Sequence, residues 1–287
     1  MPDKNTEILI VGLGLMGGSY ARALTAAGYR VSAIDRDPEA IRYALGEGII
    51  AAGAADADPD LIGRADLVVF ALYPHALVPW IEAYQSLLKP GALLTDVTGV
   101  KGAIVPEVQA RLADGRPDVE FIAAHPMAGR EVSGVRNSTA DIFRSANYIV
   151  VPTEKNTKEA IAACRALGEA LGFARVTELT PAEHDEIIGF VSQLTHCIAV
   201  ALMTCNDDEH LEDYTGDSFR DLTRIARIND EMWSELFLLN REALLSQIDA
   251  FTAQLARLRA TIAEGRRDDM RALMRRSAER RAKFDKK

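Results

Sequence analysis

Residues 8–23 read ILIVGLGLMGGSYARA, four apolar residues that run at once into a glycine-punctuated turn and then into a helical pattern. The apolar run is that of a buried parallel strand, and Gly12, Gly14 and Gly17 have the G-x-G-x-x-G spacing. Each glycine has a mechanical reason. Gly12 permits the tight turn, Gly14 lets the backbone approach a pyrophosphate, and Gly17 lets helix and strand pack closely. The phosphates would sit on the unpaired N–H groups of the helix N-terminus, beside Leu15 and Met16, where the dipole is positive. Glycine-rich turns are common, so the motif takes its force from context: a strand before it, a helix after it, and a second strand over residues 30–34 ending in Asp35. An acidic residue about 20 positions past the glycines is placed to read the ribose hydroxyls of an adenosine. A carboxylate there accepts from a diol and repels a 2′-phosphate, so the expected cofactor is NAD rather than NADP. The adjacent Arg36 is a second cofactor contact, stacking on adenine or holding a phosphate.

The chain has 287 residues, 48% of them hydrophobic and 26% charged, enough for one large or two modest domains with a real core. A net charge of −9 argues against nucleic acid as a partner. The exception, the basic stretch 266–287, reads as a solvated terminal helix. Cys164, Cys197 and Cys205 form no C-x-x-C and no zinc spacing, which fits a reducing compartment and no metal. Residues 1–7 lack the shape of a signal peptide. No uninterrupted apolar run approaches the roughly 18 residues of a membrane span. The expectation is a cytoplasmic protein with neither a membrane nor nucleic acid as partner.

After Asp35 the pattern predicts a short helix over 38–47 and a buried strand over 65–72. That strand would put Leu72 and Tyr73 beside a cofactor at the carboxyl edge of the sheet. His75 reads as a cap or surface residue. A helix over 78–88, strands over 92–95, 120–124, 147–151 and 174–178, and a helix over 155–171 complete an α/β, Rossmann-type, doubly wound parallel sheet. From residue 181 strand signals stop. One long helix is expected over 181–204, an acidic break at 207–213 and further helix from 218. Phe237, Leu244, Phe251 and Leu258 then recur every seven residues, with Ile248, Leu255 and Ile262 on a second seam and Arg241 as the interruption. Such a seam wants a partner helix. The expected organisation is a dinucleotide-binding domain over 1–178 and an all-α substrate-binding and dimerisation domain over 179–287, a homodimer through the C-terminal helices; packing wholly within one chain is the other reading.

His125 follows a strand directly, with Pro126 fixing the backbone and Gly129 allowing close approach. A histidine at the carboxyl edge of a nucleotide-binding sheet is placed as a general base for hydride transfer. Read by position alone, the alternative is a structural histidine bonded to backbone.

Five motifs in order give the chain its resemblance: GLGLMGGS at 12–19, DVTGVK at 96–101, HPMAGRE at 125–131, SQLTH at 192–196, and FRDLTRIA at 219–226 with Trp233 beyond. The chain resembles the prephenate and arogenate dehydrogenases of tyrosine biosynthesis over nearly its whole length. The resemblance implies an oxidative decarboxylation. Hydride leaves the hydroxyl-bearing ring carbon for the nicotinamide, a base takes the hydroxyl proton, and CO₂ departs as the ring becomes aromatic, with no metal required. His125 then matches the base. Arg224 matches the clamp on the ring carboxylate, a task suited to the planar guanidinium fork. His196 matches the contact for the side-chain keto acid, with Ser192 and Thr195 on the same helix. Glu131 matches a carboxylate at the pocket mouth, and Trp233 a lid or a core aromatic.

Three positions depart from the family's common pattern. Gly99 stands where a serine is frequent, leaving Thr98 as the substitute for the substrate hydroxyl and Gly99 itself beside the cofactor. Gln193 stands where a histidine frequently precedes the Leu-x-His segment, and Arg130 where a small residue is common. The reaction class is untouched by these, and the substrate is not. Prephenate is expected; arogenate, whose ammonium Glu131 would accept, is the alternative. A different NAD-dependent hydroxy-acid dehydrogenase would want a lysine between residues 181 and 196, where there is none. A non-catalytic NAD-binding module would not need His125, His196 and Arg224 together.

Overall fold

The computed structural model describes residues 4–284. The chain opens with β1 (Glu7–Val11), α1 (Leu15–Ala26), β2 (Arg30–Ile34), α2 (Pro38–Gly46), β3 (Ala52–Ala54) and α3 (Pro59–Arg64). It continues through β4 (Leu67–Phe70), α4 (Pro74–Tyr84), β5 (Leu93–Asp96), α5 (Val105–Gly115) and β6 (Glu120–Phe121). These six strands pair in parallel in the order β3-β2-β1-β4-β5-β6, with Ile8 opposite Val31 on one side and Leu67 on the other. Successive side chains of a strand point to opposite faces. Ile8 and Ile10 therefore enter one core with Tyr20 and Leu24 of α1, while Leu9 and Val11 enter a second with Leu77 and Ile81 of α4 and Val105 and Val108 of α5. Burial on both faces is why these strands read as unbroken apolar runs.

The later strands do not extend this sheet. β6 ends at Phe121, Ile122 N–H donates to the Leu94 carbonyl, and the chain then leaves. A second sheet follows, built of β7 (Ala123–Pro126), β8 (Asn147–Val151) and, after α6 (Lys158–Ala170), β9 (Arg175–Glu178). β7 runs antiparallel to β8, with His125 opposite Ile149, and β8 runs parallel to β9. His125 thus sits on the strand where one sheet hands over to the next.

The helical half begins with α7 (Pro181–Ile188), whose N-terminus is closed by a reciprocal capping box between Thr180 and Glu183. A single π-helical turn, Gly189–Gln193, passes into α8 (Leu194–Thr204), so the long helix expected here has a bulge in its middle. Contrary to the expectation from uninterrupted apolar runs, Pro181–Thr204 is long and apolar enough by length and composition to cross a membrane. Ser192, Gln193, Thr195 and His196 interrupt the run without outweighing its average. Only 28% of its most apolar stretch is buried within the chain. α9 (Asp217–Thr223) and α10 (Asp230–Leu239) follow, and Met232, Trp233 and Leu236 of α10 join the core on the second face of the parallel sheet.

The chain divides into two compact units, Met1–Asn240 and Arg241–Lys287. The expected heptad seam is therefore shared between two helices. Asn240 leaves the helical conformation, so Phe237 belongs to α10 and the rest of the seam to α11 (Arg241–Ala263). On α11 Phe251, Leu255 and Ile262 are exposed. α12 (Arg267–Arg281), the basic stretch, has no buried residue.

Candidate active site

The glycine loop has a graded geometry. Gly12 has φ +96°, and a Cβ there would meet the Ala71 carbonyl oxygen at 2.5 Å; a Cβ on Gly17 would lie 1.8 Å from the Gly12 carbonyl oxygen. Gly14 has nothing within 4 Å of the same point. Two glycines are thus consumed by packing and the third leaves open space at the N-terminus of α1, where no side chain caps the helix. Leu15 and Met16 are half-buried on the first turn. Asp35 extends from the end of β2, its Oδ2 accepting from Leu13 N–H at 2.5 Å and its Oδ1 from Asp37 N–H at 2.8 Å. Each oxygen retains a lone pair, so a ribose diol can still be read there. Arg36 is exposed beside it. An open cradle, an uncapped helix start and an accepting carboxylate together fit a dinucleotide.

The strand ends beside this loop are tied to α10. Leu72 touches the Gly12 turn, and the Tyr73 hydroxyl receives Asn229 Nδ2 at 3.3 Å. His75 is held by Glu235 at both its backbone N–H (2.6 Å) and its Nδ1 (2.9 Å).

His125 is the end of a three-residue chain. Its Nδ1 lies 2.9 Å from His184 Nε2, and His184 Nδ1 lies 2.7 Å from Asp185 Oδ1. Asp185 is fixed in turn: Oδ1 accepts from Lys101 N–H at 2.9 Å and Oδ2 from Gly102 N–H at 2.7 Å. Donor logic assigns the protons. A carboxylate only accepts, so His184 Nδ1 carries hydrogen; neutral His184 then accepts at Nε2, and His125 donates from Nδ1. The lone pair of His125 is left on Nε2. Burial, followed by the charges of His184 and Lys101, holds the His125 ring well below the ordinary histidine range. Neither His184 nor Asp185 was among the residues expected from sequence. They lie 59 and 60 positions from His125 in an unremarkable first turn of a helix, and only folding pairs them.

Around His125 the walls come from both halves of the first unit. A Cβ on Gly99 would lie 3.9 Å from His125 Cε1 and 3.4 Å from Leu236 Cδ2, so a side chain there would stand in ordinary contact between the ring and α10. Thr98 does not take its place. Its hydroxyl is buried, donates to Asp96 Oδ2, and lies within bonding distance of Lys101 Nζ and the Val100 carbonyl, so the structure turns it away from any substrate. Gln193 is also turned inward: its Nε2 donates to the Leu236 carbonyl at 3.0 Å, and its Oε1 accepts from Asn240 at 2.7 Å. Asn240 donates further to the Asp185 carbonyl, so this amide pair locks α7, the π turn and α10 together.

His196 stacks on Trp233, with ring centroids 3.6 Å apart and an interplanar angle of 29°. Its Nδ1 bonds the Ser192 carbonyl at 2.9 Å, leaving Nε2 for a ligand. Burial holds this ring below the ordinary value as well, with the nearby Arg224 charge adding and Glu131 opposing. Arg224 reaches Glu131 at 2.5 Å, its side chain 63% exposed. The arginine expected to clamp a carboxylate already holds one, on an exposed and exchangeable pair. Ser192 contributes its carbonyl to His196, while exposed Thr195 turns its own hydroxyl to the same carbonyl. Arg130 is exposed, and the partner of Glu131 is Arg224 rather than its neighbour.

A dinucleotide cradle, a neutral imidazole and an arginine–carboxylate pair thus lie within one unit, and comparison with known proteins adds to this. Residues 20–177 match the family described as "Prephenate dehydrogenase, nucleotide-binding domain", and residues 180–276 match "Prephenate dehydrogenase, dimerization domain". The chain is 29% identical over 271 residues to a prephenate dehydrogenase of Bacillus subtilis, covering 91% of this chain and 71% of that protein. It is 30% identical over 270 residues to a cyclohexadienyl dehydrogenase of Zymomonas mobilis, covering 90% and 88%. A crystal structure of prephenate dehydrogenase from A. aeolicus, in complex with hydroxyphenyl propionate and NAD+, aligns with a TM-score of 0.90 at 29% identity, over 99% of this chain and 100% of that one. With both halves matched in order and nearly end to end, the chain belongs to the prephenate dehydrogenase family.

Proposed function

We propose that this protein is an NAD-dependent dehydrogenase that converts prephenate to 4-hydroxyphenylpyruvate by oxidative decarboxylation, in the cytoplasm, as a step of tyrosine biosynthesis. The observation that carries the reading is the hydrogen-bonded series from Asp185 through His184 to His125, which leaves an unprotonated Nε2 on a ring that resists protonation. Such a nitrogen is a base at neutral pH. NAD, when bound, supplies the hydride acceptor.

The residues divide the remaining work. Gly12, Gly14, Leu15, Met16 and Gly17 cradle the pyrophosphate, Asp35 and Arg36 take the adenosine end, and Leu72, Tyr73 and Gly99 line the approach to the nicotinamide. His125 Nε2 takes the proton of the ring hydroxyl. Arg224 exchanges its bond to Glu131 for the ring carboxylate and holds it until CO₂ leaves. His196 Nε2 meets the side-chain keto acid, Ser192 and Thr195 support that end of α8, and Trp233 keeps the imidazole of His196 in place by stacking. Glu131 is the partner Arg224 releases when it turns to the ring carboxylate. Residues 179–287 supply substrate contacts and the dimer interface, with a second copy covering the apolar surface of α7, α8 and α11.

The test mixes purified protein with NAD and either prephenate or arogenate and follows absorbance of the reduced cofactor. Reduction with prephenate is the expected result; reduction with arogenate alone would reassign the substrate, and silence with both would overturn the activity. His125→Asn is expected to lower kcat by about 10²–10⁴-fold while NAD binding persists. Near-normal turnover in that variant would remove His125 as the base.

A further inference from the structure

His125 begins where main-chain pairing with the parallel sheet stops, and its peptide neighbours have to find partners elsewhere. Ala124, the residue before it, has its N–H and C=O held by side chains. Asp96 Oδ1 accepts from Ala124 N–H at 3.1 Å, and Lys101 Nζ donates to the Ala124 carbonyl at 2.7 Å. Lys101 Nζ also donates to Asp96 Oδ2 at 2.7 Å and to Thr98 Oγ1 at 3.2 Å, so all three of its protons are used. Lys101 and Asp96 are both completely buried. The backbone N–H of the same lysine holds Asp185 Oδ1, the far end of the series that reaches His125 Nδ1.

From this ring of contacts we infer that Lys101 is a positioning residue for His125, gripping the peptide before it with the ammonium and anchoring the imidazole series through its backbone N–H. This rests on His125 being the base. A buried lysine is costly and is tolerated only where a charge partner and full hydrogen bonding offset the loss of hydration. Asp96 and the Ala124 carbonyl supply both. A hydrophobic side chain would fill the same volume without that cost, so the ion pair needs a reason beyond packing; besides closing the Thr98 turn, it holds the N–H and the carbonyl of Ala124, the residue before His125. The cation has a second effect. Burial does most to keep His125 and His184 neutral, and Lys101 adds to it by opposing a positive charge on either ring. The charged or titratable groups facing this cluster include Asp96 of β5, His184 and Asp185 of α7, Cys164 of α6, whose thiol burial pushes up to about 12, and Tyr20 of α1, whose hydroxyl burial also pushes up.

The experiment replaces the pair together, Asp96→Asn with Lys101→Met, so that no unpaired charge is buried, and follows the His125 ring by ¹⁵N NMR as a function of pH in the protein without ligand. The His125 midpoint is expected to rise by about one pH unit, with kcat falling about tenfold as the base loses its register and the KM for NAD changing less than twofold. A folded variant with an unchanged His125 titration overturns the proposal. Should the double variant fail to fold, the wild-type protein decides: the Lys101 Nζ resonance is expected to be protected from exchange and to shift as His125 titrates. A Lys101 resonance indifferent to that titration overturns the proposal. Both readouts are independent of turnover, so a His125→Asn enzyme that keeps its activity would remove the base assignment without being mistaken for a failure of this contact.

Discussion

An imidazole held by Asp185 through a second imidazole can accept a proton at one nitrogen only, the far end of the series. Because burial and the neighbouring charges depress its pKa, His125 stays neutral until the pH falls below the usual histidine range. A base works in its unprotonated form. We therefore expect kcat/KM to be flat through neutrality and to fall only on an acid limb whose midpoint lies below about 6.5, the value of an unperturbed histidine. A pH–rate profile with its midpoint above that value would contradict the arrangement. For Arg224 the expectation is different in kind. Arg224→Ala removes the carboxylate's partner, so substrate KM should rise about tenfold, the size of a charge-assisted hydrogen bond at an exposed site. Steady-state kinetics with NAD saturating reads this directly. At this scale the motifs pointed to His125, His196 and Arg224, the residues given roles in the proposal above. They were silent on His184 and Asp185, whose role comes from a contact across 59 residues, and misleading on Thr98, whose hydroxyl has a nearer partner in Asp96.

Among the elements, the first βα turn separates packing from binding within six residues. Gly17→Ala puts a methyl group on top of the Gly12 carbonyl, a clash with backbone that cannot move aside. Its cost should be at least the 1–3 kcal/mol typical of overpacking, seen as a lower Tm. Gly14→Ala meets open space, so Tm should be unchanged while the KM for NAD rises several-fold. Thermal melts and cofactor titrations on the two variants check the division; equal destabilisation would refute it. The strands of the parallel sheet were legible because apolar runs bounded by turns are a local signal. The handover from β6 to β7 was not, since the residues around 122 carry the same apolar pattern on both sides. What divides them is the carboxylate of Asp96, supplied from a different strand. The π turn at Gly189–Gln193 was equally hidden, because inserting one residue leaves a helical pattern looking helical.

Seen as a whole, the single chain leaves much apolar surface uncovered. Phe190, Val191 and Met203 on the α7–α8 run are exposed, as are Phe251, Leu255 and Ile262 on α11. A soluble monomer rarely carries so much, and a second copy is the occupant proposed for it. Leu255→Arg should therefore give a folded protein that sediments as a monomer, because a residue already 53% exposed in the single chain contributes little to its internal packing. A variant that remains dimeric would place the interface elsewhere. By itself the sequence determined the nucleotide-binding half, since glycine spacing, strand burial and a terminal carboxylate are set by neighbours a few residues apart. It also determined the helical character of the second half, through periodicity. Only the tertiary structure decided which histidine stands behind His125, which carboxylate engages Arg224, and why a lysine is buried between Asp96 and the Ala124 carbonyl. Those are contacts between residues far apart in the chain, and their energies depend on burial and distance, quantities that exist only once the chain has folded.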